Sequence, residues 1–252
     1  MAIDDPGAGG DFRLLEINVA TSFVLTPSGR IERESAPDNS PGPRLFLAGC
    51  VGGNILRLRH DVGPEVVLRA QALAETETPW SDPSAPPNCL SALIEAISVE
   101  APANAASPAL IYQLPRGLFY DAGATITRWD TTNGRHLLAR LAEEGMPQHL
   151  TQAGFVSLDD FWEPWCAVTV DGEIAALAFA ARIGARSAEV GVYTFPGFRG
   201  SGLAAAITAN WSSLPSLADH ELFYSTSATN RSSQRVAERL GLRRFGVSVR
   251  VN

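Results

Sequence analysis

Residues 187–212 read SAEVGVYTFPGFRGSGLAAAITANWS, and this stretch decides the fold. Ser187–Thr194 holds β-branched and aromatic residues in a run of strand length. Pro196-Gly197-Phe198-Arg199-Gly200-Ser201-Gly202 is turn material, and Leu203–Ser212 is Ala-rich and helical. A helix that starts directly after a glycine loop presents unpaired N–H groups and a partial positive charge. The glycines let the main chain approach a ligand closely. Such a loop suits a pyrophosphate. A tight strand-to-helix turn with no ligand has the same composition, so the glycines alone leave both readings open.

Two ligand classes fit the loop. Gly200-Ser201-Gly202-Leu203-Ala204-Ala205 matches the dinucleotide pattern G-x-G-x-x-A, and the acid Glu221 follows about twenty residues on. That pattern normally opens a domain of two βαβαβ halves, yet only about fifty residues remain here. Upstream, Ala167–Val170 and Ile174–Ala181 flank Asp171-Gly172-Glu173, a strong hairpin signal. A parallel doubly wound sheet does not use such a connection. The second class is a coenzyme whose pyrophosphate lies on Arg199-x-x-Gly202-x-Ala204.

Outward from the loop, the second half is regular. Strands are expected at Thr125–Trp129, Leu222–Ser225 and Arg244–Val251. Helices are expected near 133–145, over Phe155–Trp162 and over Asn230–Leu240, the last stopped by Gly241. The first half reads as a mixed unit. Residues 1–10 are expected to be a mobile tail and residues 12–26 strand material. Leu45–Val51 and Ile55–His60 form a hairpin across Gly52-Gly53-Asn54. A helix starts at Gly63-Pro64-Glu65, and Asn88 caps another through Ile97. Loops are expected at 34–44, 79–87 and 101–108. This half carries no recognisable catalytic motif.

The chain has 252 residues, 45% hydrophobic and 19% charged, with 27 acidic and 20 basic side chains and a formal net charge of −7. That is a globular composition, and its acidity disfavours a nucleic-acid partner. All the basic residues are arginine. Without lysine there is no Schiff-base, P-loop or kinase lysine, which excludes pyridoxal-phosphate enzymes and the standard nucleoside-triphosphate machines. Cys50, Cys89 and Cys166 lie far apart with no C-x-x-C pair, and His60, His136, His149 and His220 lack ligand spacing, so no metal is expected. No apolar run reaches membrane-spanning length. The opening stretch MAIDDPGAGGDF is acidic and Gly-rich, the wrong character for a secretory leader. A cytoplasmic location with no membrane partner is therefore expected.

With Pro196 before it, Arg199-x-x-Gly202-x-Ala204 resembles the signature of the GNAT superfamily of acyl-CoA-dependent N-acyltransferases, placed between the family's fourth strand and third helix. Ile126–Asp130 and the helix carrying Leu137 and Leu138 resemble its first strand and helix. Asn230-Arg231-Ser232-Ser233 and Leu240-Gly241-Leu242 resemble its later motifs. The resemblance covers about residues 120–252, and the stretches Tyr224–Ser227 and Ala188–Val192 resemble a bacterial subgroup whose members carry an extra N-terminal half.

The resemblance implies an α/β protein: a GNAT fold at 120–252, with a mixed, mostly antiparallel central sheet and flanking helices, plus an N-terminal α+β region at 1–119 that shapes the acceptor cleft. It implies acetyl-CoA as co-substrate and a small-molecule or peptide amine as acceptor, and leaves a homodimer open. Backbone amides of Arg199, Gly200, Ser201, Gly202, Leu203 and Ala204 would hold the pyrophosphate. Val192 and Thr194 would pair with the pantetheine amides across a splay between their strand and Leu222–Ser225. Asn230, with Ser233, would meet the pantetheine arm, or Asn230 would simply cap its helix. The Arg231, Arg235 and Arg239 stripe is either a 3′-phosphate contact or a solvated face.

Glu189 shares a strand face with Gly191 and Tyr193 and is the candidate base, or else an ion-pair partner of Arg182. Ala237 stands where many members carry the tyrosine that protonates the thiolate. Tyr193, Ser225 and Ser227, with Thr226, are the candidate substitutes. The rival readings are a catalytically degenerate acyl-CoA-binding protein and a partner-binding N-terminal module on a degenerate scaffold.

Overall fold

The computed structural model describes residues 7–252. Contacts divide the chain into two compact units that follow no single cut. The first comprises residues 1–113 with 225–234 and 243–252; the second comprises 114–224 with 235–242.

In the first unit, α1 (Gly7–Ser22) leads into the two-stranded pair β1 (Phe23–Leu25) and β2 (Ile31–Glu34). The main sheet has the order β4 (Gly53–Leu58), β3 (Leu45–Cys50), β11 (Arg244–Val251), β5 (Ala109–Gln113), every neighbour antiparallel. Helices α2 (Pro64–Glu75) and α3 (Leu90–Ser98) pack on each other. All six residues of β3 are buried. Helix α1 lies against β3 and β11. Gly246 of β11 makes that approach possible, because a Cβ there would lie 3.2 Å from both a Leu15 methyl and the Gly49 carbonyl oxygen. Arg243 donates to Asp11 at 2.6 Å, and Arg250 donates to Glu34, so each end of β11 is also ion-paired to this unit.

The N-terminal segment corrects the sequence reading. Residues 12–22 are helix, and only Phe23–Leu25 is strand. Ile17, Val19 and Thr21 have β-branched side chains, but burial recurs at Asp11, Leu15, Asn18 and Ser22, a helical spacing that packing enforces over local propensity. Gly7–Gly10 open this helix and are no tail; the rest of that expectation, residues 1–6, lies outside the described residues. Asn88 does not cap α3. The Glu77 carboxylate takes that place, accepting from the Cys89 amide at 2.6 Å and from the Asn88 side chain at 3.0 Å. Strand β5 was not foreseen beyond the 101–108 loop.

In the second unit the strand order is β10 (Glu221–Ser227, whose first four residues belong here), β9 (Ser187–Thr194), β8 (Glu173–Ile183), β7 (Cys166–Val170), β6 (Thr125–Arg128). Pairing is antiparallel except between β9 and β10. The Asp171-Gly172 turn closes the expected β7–β8 hairpin, both residues at positive φ. Helix α4 (Thr132–Glu144) is capped by Thr131, which accepts from the Gly134 amide at 3.1 Å. Helix α6 (Leu203–Trp211) crosses from β9 to β10 and packs on β7, β8 and β9.

The helix expected over Phe155–Trp162 is absent. That span holds only a 3-10 turn at Leu158–Asp160, and a short helix, α5 (Gln148–Thr151), precedes it. Here the Asp160 carboxylate accepts from the Val156 and Ser157 amides at 2.7 and 2.8 Å and closes a single capped turn, while Phe155 and Phe161 pack in the core. Helix α7 (Arg231–Arg239) ends at Gly241, at φ +62°, where the Leu242 amide reaches back to the Ala237 carbonyl at 2.9 Å. No helix among the described residues is long and apolar enough to cross a membrane.

Strand β11 has β3 on one edge and β5 on the other. A fragment starting at Leu118 removes both partners and leaves two unpaired ladder edges. It is expected to be insoluble or aggregated on gel filtration; a soluble, monodisperse fragment would contradict this dependence.

Candidate active site

Strand β9 pairs with β8 from Ile183↔Ala188 to Ala176↔Thr194. Its parallel ladder with β10 holds only three pairs, Glu221↔Ser187, Leu222↔Ala188 and Phe223↔Glu189. From Val190 to Thr194 that second edge has no strand partner among the described residues. Val192 and Thr194, the two positions expected to present a free edge, lie in this stretch. The Thr194 hydroxyl is buried with no hydrogen-bond partner among the described residues.

The chain then turns sharply. Phe195 is fully buried, Pro196–Phe198 forms a 3-10 turn, and Gly200 and Gly202 sit at φ +92° and +81°, conformations that favour glycine. Gly202 is the N-cap of α6 and brings no capping side chain. The amides of Ala205 and Ala206 reach the Gly202 carbonyl at 3.0 and 3.2 Å. Those of Gly200, Ser201, Gly202, Leu203 and Ala204 find no acceptor among the described residues. Free amides at a helix N-terminus are donors of the kind that can meet an anion.

Arg199 differs from its five neighbours. Its amide closes the turn on the Pro196 carbonyl at 3.5 Å. Its guanidinium Nε donates to the Thr194 carbonyl at 3.0 Å and lies 6.0 Å from the Tyr193 ring centroid. Its side chain thus ties the loop to the end of β9. Tyr120 was not foreseen. Its ring and hydroxyl are the closest atoms to the space a Cβ on Gly202 would occupy, at 3.2 Å. It comes from an irregular segment with no periodic pattern to mark it.

Glu189, Gly191 and Tyr193 share a face of β9, as expected. Glu189 is buried and ion-paired with Arg182 at 2.6 Å. A bulge at Ala180–Arg182 sets Arg182 opposite it in register. The Phe179 ring lies over Gly191, 2.5 Å from where a Cβ would be. Tyr193 packs edge-on against Phe155 at 5.9 Å and tilted against Phe195 at 5.0 Å. Phe155 also meets Phe161 and Phe179, and Trp162 meets Phe179. The candidate catalytic face is therefore walled by aromatic rings.

Ser225, Ser227, Asn230 and Ser233 belong to the first unit. Ser227 shares a hydrogen bond with the Thr229 hydroxyl at 2.8 Å, and the Asn230 carbonyl oxygen accepts from the Ser233 amide at 3.1 Å, the capping arrangement. The Thr226 hydroxyl is buried and unpartnered. Arg231, Arg235 and Arg239 are exposed.

All three cysteines are free and buried; burial pushes the Cys89 and Cys166 thiols up to about 12, so neither offers a thiolate at neutral pH. Among the described residues no group of three or more His, Cys, Asp or Glu is placed to hold a metal ion.

A family model described as GNAT acetyltransferase matches residues 121–246, half of the chain. The chain belongs to the GNAT acetyltransferase family. Its α/β fold, with a mostly antiparallel sheet and flanking helices, is that of the family. Among solved structures, a GNAT-family acetyltransferase from Novosphingobium aromaticivorans is 25% identical, with a TM-score of 0.40, covering 59% of this chain and 64% of its own. A GCN5-related N-acetyltransferase from Kribbella flavida is 17% identical, with a TM-score of 0.41, covering 63% and 62%. A GNAT-family acetyltransferase from Colwellia psychrerythraea is 16% identical, with a TM-score of 0.42, covering 100% and 98%. The alignments thus span a little under two thirds of the first two structures' own lengths. No curated protein matches the chain.

Within this member of the family, Gly191 is required by the ring above it. Gly191→Val would drive a branched side chain into Phe179, and overpacking of this kind costs about 1–3 kcal/mol. Urea unfolding should show that loss; an unchanged midpoint would place Phe179 elsewhere.

Proposed function

We propose that the chain transfers an acetyl or short acyl group from acyl-CoA to a primary amine. The observation that carries this reading is the union of five unpartnered amides at 200–204 with the open edge of β9 just before them. The amides and the α6 dipole take the pyrophosphate. The edge at Val192 and Thr194 takes the pantetheine amides as a strand would. The Arg199 and Tyr120 side chains shape the loop.

The chemistry then needs a neutral amine. An alkylammonium with a pKa near 10.4 must give up a proton, at about 4–5 kcal/mol at pH 7. Glu189 occupies the last β9 position paired with β10, at the head of the open edge. In this reading it accepts that proton. The amine nitrogen attacks the thioester carbonyl, the C–S bond breaks, and the thiolate leaves with a proton from a hydroxyl, for which Tyr193 is the candidate in this unit. The buried Ala237 leaves no acid at its own position.

Gly202→Asp places a carboxylate among the free amides and a Cβ against Tyr120. Calorimetry should show CoA affinity at least tenfold lower, and unchanged affinity in a folded variant would sink the site. A CoA-thiol release assay with a panel of amines separates an enzyme from a binding protein.

Glu189→Gln keeps the shape and removes the base. Its rate should fall about 10²–10⁴-fold. The deficit should narrow as pH rises, because more amine arrives already neutral. A purely structural Glu189–Arg182 pair predicts lower thermal stability with near-normal turnover instead. A pH–rate profile within threefold of wild type across pH 6–9 would remove Glu189 as the base.

A further inference from the structure

Nothing in the proposed transfer uses a cavity in the first unit beside β4, the outermost strand of its sheet. The cavity has a volume of about 550 Å³, within the range of small-molecule sites. The β1–β2 turn from Pro27 to Arg30, strand residues Leu56–Leu58, and Val67 and Gln71 of α2 line it.

Two of these lining residues are arginines and none is acidic. Arg30 is held rigidly, its Nη2 donating to the Arg59 carbonyl at 2.6 Å and the Val62 carbonyl at 2.5 Å. Arg57 donates from Nη1 to the Leu56 carbonyl at 3.0 Å. In both, Nε is buried without a hydrogen-bond partner among the described residues. Neither has a salt-bridge partner among the described residues. Burial pushes Arg57 below the ordinary arginine range, and the Glu16 charge opposes this only in part. Two half-buried like charges with unsatisfied donors are unfavourable as they stand. An oxyanion would supply the missing charge, and the guanidinium fork matches a carboxylate. Pro27, Leu56 and Val67 add apolar wall, for which a bare inorganic anion has no use.

We propose that this cavity binds a small organic carboxylate, its charge between Arg30 and Arg57 and its apolar body against Leu56 and Val67. The test is calorimetry on the full chain with hexanoate, its neutral isostere hexanamide, and inorganic phosphate. Hexanoate should bind saturably, and hexanamide and phosphate at least tenfold more weakly. Arg57→Met removes the charge and keeps the length. Gln71→Glu, at an exposed helix position that tolerates substitution, sets a like charge in the wall. Each should weaken hexanoate at least tenfold while circular dichroism stays native. The proposal is overturned by no saturable heat with hexanoate, by hexanamide or phosphate binding as well as hexanoate, or by wild-type affinity in the folded Gln71→Glu chain.

Discussion

The length of one ladder governs the second unit. Strand β9 keeps β8 along nearly its whole length but β10 for only three residues. Because β9 and β10 are parallel, the chain must cross over between them, and α6 is that crossover. The chain must turn within eight residues to begin α6, and Gly200 and Gly202 sit at positive φ in that turn. An α6 that starts on a glycine has no capping side chain, so its first amides stay free. The open strand edge and the free amides are two results of the same topology.

The opposite demand falls on the face that carries Glu189 and Tyr193. A carboxylate can be buried there because a bulge brings Arg182 into register with it. Such a pair returns little net stability, since desolvation offsets the Coulomb attraction, but losing either partner strands a buried charge. Beside it the rings of Phe155, Phe179, Tyr193 and Phe195 meet mostly edge-on, each contact supplementing simple burial. The face is thus rigid where the β9 edge is open.

In the first unit, β11 does comparable work. It is the last strand in sequence, yet it lies between β3 and β5, and Arg243 and Arg250 fasten its ends to Asp11 and Glu34. Contacts of this separation are formed late in the chain and close long loops, so the unit is completed only by the C-terminus. The same unit leaves β4 at its margin, where two arginines line a cavity with no salt-bridge partner among the described residues.

What the sequence determined by itself was whatever local chemistry dictates. Asp171-Gly172 specified a hairpin, Gly241 a helix stop, and the 187–212 run a strand, a glycine turn and a helix, because each depends on residues close together in the chain. The family followed from the same short spacings. Tertiary structure alone decided the rest. It made residues 12–22 helical against their β-branched composition, because the face that meets β3 and β11 repeats every three to four residues. It placed Tyr120 over Gly202, Arg182 opposite Glu189, and Arg30 and Arg57 on one cavity. Those pairs join residues with no fixed sequence spacing, and only packing brings them together.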